Sequence, residues 1–339
     1  MTFLADENIM FYLAAAFPRS VLNIGYPAIC SKEEEMCQRI TDSLSGLNVE
    51  TATVGHAIPT HLEKMASIAN RQTNTSANFW IPFSDYMIEQ TVKKSVKDLL
   101  VHTKDTVGYW KTLSDRPIDI AFVDSTARNE DLSQRLRMFY DELKESGARS
   151  IIICDTKGNV TPKRLTDLLI QFRGTGADIE YHPHDDNKLA LDNIEIATLL
   201  GAKRIGTAAF GLGERGTMVD PRKLVAKYGL LYNSQSFKEF ERRYSDLIME
   251  LQEEEKIFAK NIVITGTQYR LRGRNSRSIP KFGVTSDKYI LSKLVEIKSE
   301  TIEDETLRRI KDDLYDTRKR TFKPEELKKK LEDYQNERR

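Results

Sequence analysis

The sequence is poor in the features that mark several specialised classes of protein. Its 339 residues include only three cysteines, Cys30, Cys37 and Cys154, with no CxxC pair and no metal-type spacing. We therefore expect reduced thiols in a cytoplasmic protein rather than a disulfide framework. No apolar run is long enough to span a membrane, and the first residues lack a basic region followed by a small-residue cleavage site. The sequence thus predicts neither a membrane segment nor a signal peptide.

A surplus of either charge is missing as well. Lys and Arg number 52 against 51 Asp and Glu, which gives a formal net charge of +1. That near balance does not favour binding to nucleic acid. Hydrophobic residues make up 40% of the chain and charged residues 30%, as in globular proteins that bury a core. The length fits one large α/β domain with an appendage, or two domains.

The first 230 residues contain a regular alternation of short apolar segments and helical patterns. The predicted strands cover residues 21–24, 48–54, 77–82, 118–123, 150–154, 177–181 and 204–208. The predicted helices include residues 4–17, 88–104, 186–200 and 237–254. Apolar runs without polar alternation indicate strands buried on both faces, as in a parallel sheet covered by helices.

Two α/β architectures fit this alternation, an open doubly wound sheet and a (β/α)8 barrel. The turn after the first predicted strand, GYPAIC, is not the Gly-rich GxGxxG turn of many doubly wound folds. The candidate site residues all come just after strands, where the chemistry of barrels is placed. We therefore predict a TIM-type barrel that lacks its first strand, with a gap between the strands at 21–24 and 204–208.

The remainder of the chain has a different character. It contains a basic, irregular segment at 261–283 and three predicted short helices at 286–295, 303–319 and 324–334. We interpret residues 1–230 as a barrel domain of catalytic type and residues 231–339 as a helical linker and a small helical C-terminal domain. These helices are too few and too charged to form a core alone, which predicts a homodimer through this half.

His182 and His184 follow the sixth predicted strand. Residues two apart on a strand point to the same side, about 6.6 Å from each other. Neutral imidazoles so placed can bind one divalent metal ion. Two surface histidines beside a proline are the alternative, but the flanking β-α-β pattern and the acidic Asp185 and Asp186 favour the metal site.

Several segments together resemble a known family. CDTKGNVTP at 154–162, IEYHPHDDNKLALDN at 179–193 and GLGERG at 211–216 are similar to segments of the metal-dependent acyl-CoA-condensing TIM barrels. That family comprises isopropylmalate synthase, homocitrate synthase and their relatives. LNIGYPAICSKEEE at 22–35 resembles the region of its second strand, and VDSTARNEDL at 123–132 resembles its SSEDxxR stretch. The resemblance runs in order from about residue 4 to residue 228.

The resemblance implies an acetyl-CoA:2-oxo acid C-acetyltransferase that performs a metal-assisted Claisen condensation. Its cofactor would be a divalent cation (Zn, Mg or Mn), its co-substrate acetyl-CoA and its acceptor a small 2-oxo acid. Family members pair through the C-terminal region, which also implies a homodimer. The residues carried over are the metal ligands His182 and His184, the catalytic Glu214, Arg215 and Asp124, and the substrate-binding Thr156 and Ser84.

Two features of the family find no match in this sequence. The Arg-Asp-Gly or Arg-Asp-Glu motif that ends the family's first strand has no counterpart here, and it supplies a metal carboxylate and a substrate arginine. No histidine follows His184, whereas the synthases use one from their small domain. A second function class therefore stays open, a non-catalytic or reassigned relative that keeps the barrel and binds a metal, a metabolite or a partner.

Overall fold

The computed structural model describes residues 7–127, 131–212 and 218–249, together with short pieces between 252 and 334. Seven parallel strands form one sheet, and each pairs with the next along the chain. They are β1 (Val21–Gly25), β2 (Glu50–His56), β3 (Thr75–Pro82), β4 (Ile118–Val123), β5 (Ser150–Asp155), β6 (Ile179–Pro183) and β7 (Arg204–Ile205). This sheet confirms the predicted barrel-type α/β fold.

Within the three long described ranges, residues 245–249 are helical, and ten further α-helices have defined bounds. They are α1 (Glu7–Ala16), α2 (Ser31–Ser43), α3 (Pro59–Ala69), α4 (Asp85–Thr91), α5 (Val96–Leu113), α6 (Ser133–Ser146), α7 (Pro162–Leu169), α8 (Ala190–Leu199), α9 (Arg222–Tyr228) and α10 (Ser234–Arg243). They cover the outer face of the sheet, where large apolar side chains such as Phe79, Phe122, Trp110 and Phe139 are fully buried. None of the helices in the described ranges is both long enough and apolar enough to cross a membrane.

Three predicted helix boundaries were wrong for local reasons. The helix expected at 88–104 is two helices, because the side chains of Ser84 and Ser95 each cap a separate first turn. The helix expected from residue 186 begins at Ala190, whose N–H is accepted by Asp185 Oδ1 at 3.1 Å. The helix expected at 237–254 begins earlier, at Ser234, where Asn233 caps the first turn, and a bend at Tyr244 separates α10 from helical residues 245–249.

The ends of the sheet do not meet. Within the described ranges, β1 and β7 are the terminal strands and share no hydrogen bond, so the predicted gap is confirmed. The seventh strand is shorter than predicted, because the chain turns away after Gly206 and the N–H of Ala208 bonds to Val219 O at 3.0 Å.

Helices join the two ends of the sheet where strands do not. Phe210, shortly after β7, packs against Phe237 of α10 with ring centres 5.0 Å apart. Phe237 in turn contacts Phe17, the residue after α1, at 5.7 Å. The N–H of Asn233 also donates to Ala16 O at 2.8 Å. The α1–α10 pair therefore fastens the segment after β7 to the segment before β1.

A charged layer occupies the inner face of the sheet near the amino ends of the strands. Arg149 donates to Glu50 at 2.7 Å and to Asp119 at 2.5 Å. Arg204 contacts Asp119 at 3.0 Å and Glu180 at 3.3 Å. Burial raises the pKa of Glu180 to about 7, because the attraction of Arg204 offsets only part of the desolvation.

The C-terminal part is described only in pieces. β8 (Ile262–Thr265) and β9 (Gln268–Leu271) form an antiparallel pair, so the prediction of an irregular segment at 261–283 was wrong there. β10 (Ile279–Pro280) pairs with β11 (Thr321–Phe322). The helix predicted at 286–295 lies outside the described residues, and those predicted at 303–319 and 324–334 are described only at residues 309–310, 312, 329–330 and 332–334, which are helical. The division near residue 230 and the homodimer stay predictions.

Candidate functional site

The histidine pair lies on the inner face of the sheet at the carboxyl end of β6. Cys154 of β5 is the register partner of His182. The two imidazole ring centres are 5.3 Å apart, and His184 is buried while His182 is half-buried. The alternation of β6 thus places both rings on one side, as the spacing predicted.

The ring separation fits two ligands of one ion. An ion at tetrahedral geometry, with imidazole nitrogens at about 2.1 Å, holds two ring centres about 5 Å apart. Among the described residues, no group of three His, Cys, Asp or Glu side chains could hold a metal ion. The carboxylate of Asp185, the nearest in sequence, accepts the N–H of Ala190, the first residue of α8. The described chain therefore offers two imidazoles, and the metal site stays a prediction.

Three of the predicted site residues come together at the ends of β3, β4 and β5. Ser84 Oγ donates to Asp124 Oδ2 at 2.9 Å. The backbone N–H of Asp124 donates to Thr156 Oγ1 at 2.8 Å. Asp124 is 2% exposed and has a left-handed backbone with φ 60°, a strained conformation that occurs preferentially at functional sites.

Lys157 belongs to the same group and was missed by the sequence analysis. Its Nζ lies 2.9 Å from Asp124 Oδ2, so the buried carboxylate has a cationic partner at the mouth of the barrel. The available signal was its position directly after Thr156 in DTKG. That its side chain contacts a residue at the end of the previous strand can be seen only in the tertiary structure.

The loop after β5 is packed against the loop after β6. A Cβ atom at Gly158 would lie 2.9 Å from His184 O and 2.5 Å from Asp186 Oδ2. Asp155 fixes this loop by accepting the N–H of Asn159 and the hydroxyl of Thr126. Burial raises the pKa of Asp155 to about 6. The group around Asp124 and the histidine pair are therefore carried on contacting loops.

Glu214 and Arg215 lie outside the described residues, so their predicted catalytic roles stay predictions. The base of their loop is described. Arg222 lies over the rings of Phe210 and Phe237 at 4.8 and 4.6 Å. Arg222 also bonds to Asp220 at 2.6 Å, and its contact with Phe210 ties the segment after the loop to the segment before it.

Comparison with known proteins decides the family. Residues 10–228 match the family model described as HMGL-like. The chain belongs to the HMGL-like family. This confirms the family that the sequence motifs resembled.

Among HMGL-like relatives, the chain is similar to 2-isopropylmalate synthase 1 of Caldanaerobacter subterraneus, with 25% identity over 62% of this chain and 53% of the relative. It is also similar to the mitochondrial homocitrate synthase of Schizosaccharomyces pombe, with 28% identity over 42% of this chain and 34% of the relative. The chain thus spans about half, or less, of the length of these relatives.

A solved structure with a similar fold is the HMG-CoA lyase of Brucella melitensis. The TM-score is 0.59 at 14% identity, and the similarity covers 73% of this chain and 92% of the lyase. At that identity the likeness concerns the fold alone.

Proposed function

We propose that this chain forms the barrel of an acetyl-CoA:2-oxo acid C-acetyltransferase. The observation that carries the proposal is the placement of His182 and His184 beside the hydrogen-bonded group of Asp124, Thr156 and Lys157. All five come at the carboxyl ends of neighbouring strands, where TIM barrels carry their chemistry. The similarity to 2-isopropylmalate and homocitrate synthases supports the same reaction class.

The loop after β5 and the histidine pair of β6 would have different roles in this reaction. A divalent ion held by His182 and His184 would supply Lewis-acid polarisation of the substrate carbonyl. Thr156 and Lys157 would hold the carboxylate of the 2-oxo acid through a hydroxyl and an ammonium donor. Asp124 orients both donors, because its N–H bonds to Thr156 and its carboxylate bonds to Lys157.

The direct test measures metal content and thiol release together. The wild type is compared with the double variant His182→Ala/His184→Ala, using acetyl-CoA and a panel of pyruvate, 2-oxoisovalerate and 2-oxoglutarate. We expect the wild type to release CoA thiol with at least one of these acids, and the double variant to bind one ion fewer and release none. His102→Ala, which removes a histidine of α5, is the control and should match the wild type. Equal metal content in wild type and double variant would refute the role of the pair.

A second candidate is a relative that binds a metal or a 2-oxo acid without condensing it. Two observations favour it: no histidine follows His184 in the sequence, and the described residues hold no three-ligand group. Calorimetry separates the two candidates. Binding of a 2-oxo acid that Lys157→Met weakens, without thiol release from any acid of the panel, would support the second candidate.

A further inference from the structure

A second pair of imidazoles lies at the mouth of the barrel, away from β6. His56 is the last residue of β2, and His61 lies in the first turn of α3. Their ring centres are 5.7 Å apart. Four of the chain's five histidines are therefore placed at or just after the carboxyl ends of parallel strands, in two pairs.

Aromatic side chains pack against both rings of this pair. Trp80 packs on His56 with ring centres 4.4 Å apart, and Tyr26 contacts both histidine rings. His56 is exposed, so an ion in solution can reach it. A neutral imidazole is the form that binds metals.

Tyr26 is placed to orient one of the two rings. Its hydroxyl oxygen lies 2.7 Å from Nδ1 of His61. A metal-binding histidine usually donates its other ring N–H to an oxygen atom, which fixes the ring and the tautomer. With Nε2 of His61 bound to an ion, Nδ1 keeps its proton and donates it to Tyr26. The long 3.4 Å contact from the backbone N–H of His56 to that nitrogen is then lost.

We propose that His56 and His61 bind a divalent transition-metal ion, with Tyr26 orienting His61 and water completing the coordination. The ring separation is close to the roughly 5 Å that a shared tetrahedral ion requires. Within the described residues the pair has no third His, Cys, Asp or Glu ligand. The ligand set is therefore imidazole alone, which suits Zn²⁺, Ni²⁺ and Cu²⁺ and does not suit Mg²⁺. The site is independent of the proposed condensation.

The test uses the full chain with the other pair removed, His182→Ala/His184→Ala. This protein is titrated with ZnCl₂, NiCl₂ and MgCl₂ by calorimetry, and with CoCl₂ by visible absorption. We expect one Zn²⁺ per chain, weaker Co²⁺ binding and no Mg²⁺ binding, in line with the general affinity order of divalent metals. Adding His56→Ala or His61→Ala should abolish Zn²⁺ binding. Adding Tyr26→Phe should weaken it about tenfold or more.

The control adds His102→Ala instead, which should leave Zn²⁺ binding unchanged. Circular dichroism establishes that each variant is folded, and His56→Gln replaces His56→Ala should the latter unfold. Absence of Zn²⁺ binding in the His182→Ala/His184→Ala protein would overturn the proposal. Undiminished binding after either substitution at the second pair would overturn it as well.

Discussion

Gly206 lies directly against the imidazole of His182. A Cβ atom at this position would come within 2.6 Å of His182 Nδ1 and 3.3 Å of His182 Cα. The N–H of Gly206 donates to Tyr181 O at 2.8 Å, which holds the two segments at this spacing. The absence of a side chain at residue 206 therefore sets where the ring of His182 can lie.

Gly206→Ala should consequently impair metal binding at the His182–His184 pair. The added methyl group displaces the ring, and we expect at least about a tenfold loss of affinity, as for other changes that disturb ligand orientation. Calorimetric titration with Zn²⁺ measures the effect in protein that also carries His56→Ala/His61→Ala, so that only the His182–His184 pair is observed. Gly108→Ala is the matched control, because nothing lies within 4 Å of a Cβ there and alanine favours a helix. Wild-type affinity in Gly206→Ala would contradict the prediction that residue 206 sets the position of the His182 ring.

The ion pair between Lys157 and Asp124 should contribute measurably to stability. Lys157→Met leaves a buried carboxylate without its cationic partner. The lysine side chain is 31% exposed, so we expect a loss of about 1–2 kcal/mol rather than the roughly 3–5 kcal/mol of a fully buried pair. The double variant Asp124→Asn/Lys157→Met should recover part of the lost stability, because it no longer buries an unpaired carboxylate. Asn also tolerates the left-handed backbone at residue 124.

Urea unfolding of the two single variants and the double variant gives the coupling energy. Lys64→Met is the control, because it breaks the more exposed pair with Glu34 and should cost less than about 1 kcal/mol. Strictly additive effects of the two substitutions at residues 124 and 157 would contradict the prediction.

Glu180 should make the protein less stable as the pH rises. Burial raises its pKa from an ordinary 4.5 to about 7. The folded state thus binds more protons than the unfolded state between these values, and stability falls as the pH rises through them. The contribution is at most about 3 kcal/mol, at about 1.4 kcal/mol per pKa unit. Glu180→Gln should flatten the decline between pH 5 and pH 8, measured by urea unfolding.

Glu195→Gln provides the comparison for that experiment. Glu195 forms an exposed ion pair with Lys227, and its replacement should change stability by no more than about 0.5 kcal/mol. A decline with pH as steep in Glu180→Gln as in the wild type would rule out Glu180 as its source. Asp155, whose pKa is raised to about 6, also lowers stability as the pH rises. A smaller decline with pH should therefore remain in Glu180→Gln.

The homodimer expected from the C-terminal half stays a prediction. Light scattering at micromolar concentration should give twice the mass of the 38.9 kDa chain. Removal of residues 286–339 should shift the mass towards the monomer, because the apolar positions Ile290, Leu291 and Leu294 would no longer bring two chains together. A monomeric full chain would disprove the expectation.

Local sequence patterns were sufficient to predict most strands of the sheet. Apolar runs such as those of β4 and β5 specify buried strands wherever they fold, and the chain order then matches the order in the sheet. The two-residue spacing of His182 and His184 placed both rings on one face. The boundaries that were wrong, as at Ser95 and Ala190, depended on side-chain hydrogen bonds to the backbone that compete with periodicity.

The sequence by itself determined the strands, their order and the histidine pair, because each depends on neighbours a few residues apart. Only the tertiary structure decided which side chains meet across strands. The bond between Lys157 and Asp124 spans 33 residues, and that between Tyr26 and His61 spans 35. Such contacts depend on register and on how closely two loops approach, as Gly206 and Gly158 show. These are properties of the folded sheet, because no local pattern encodes the distance between two separate strands.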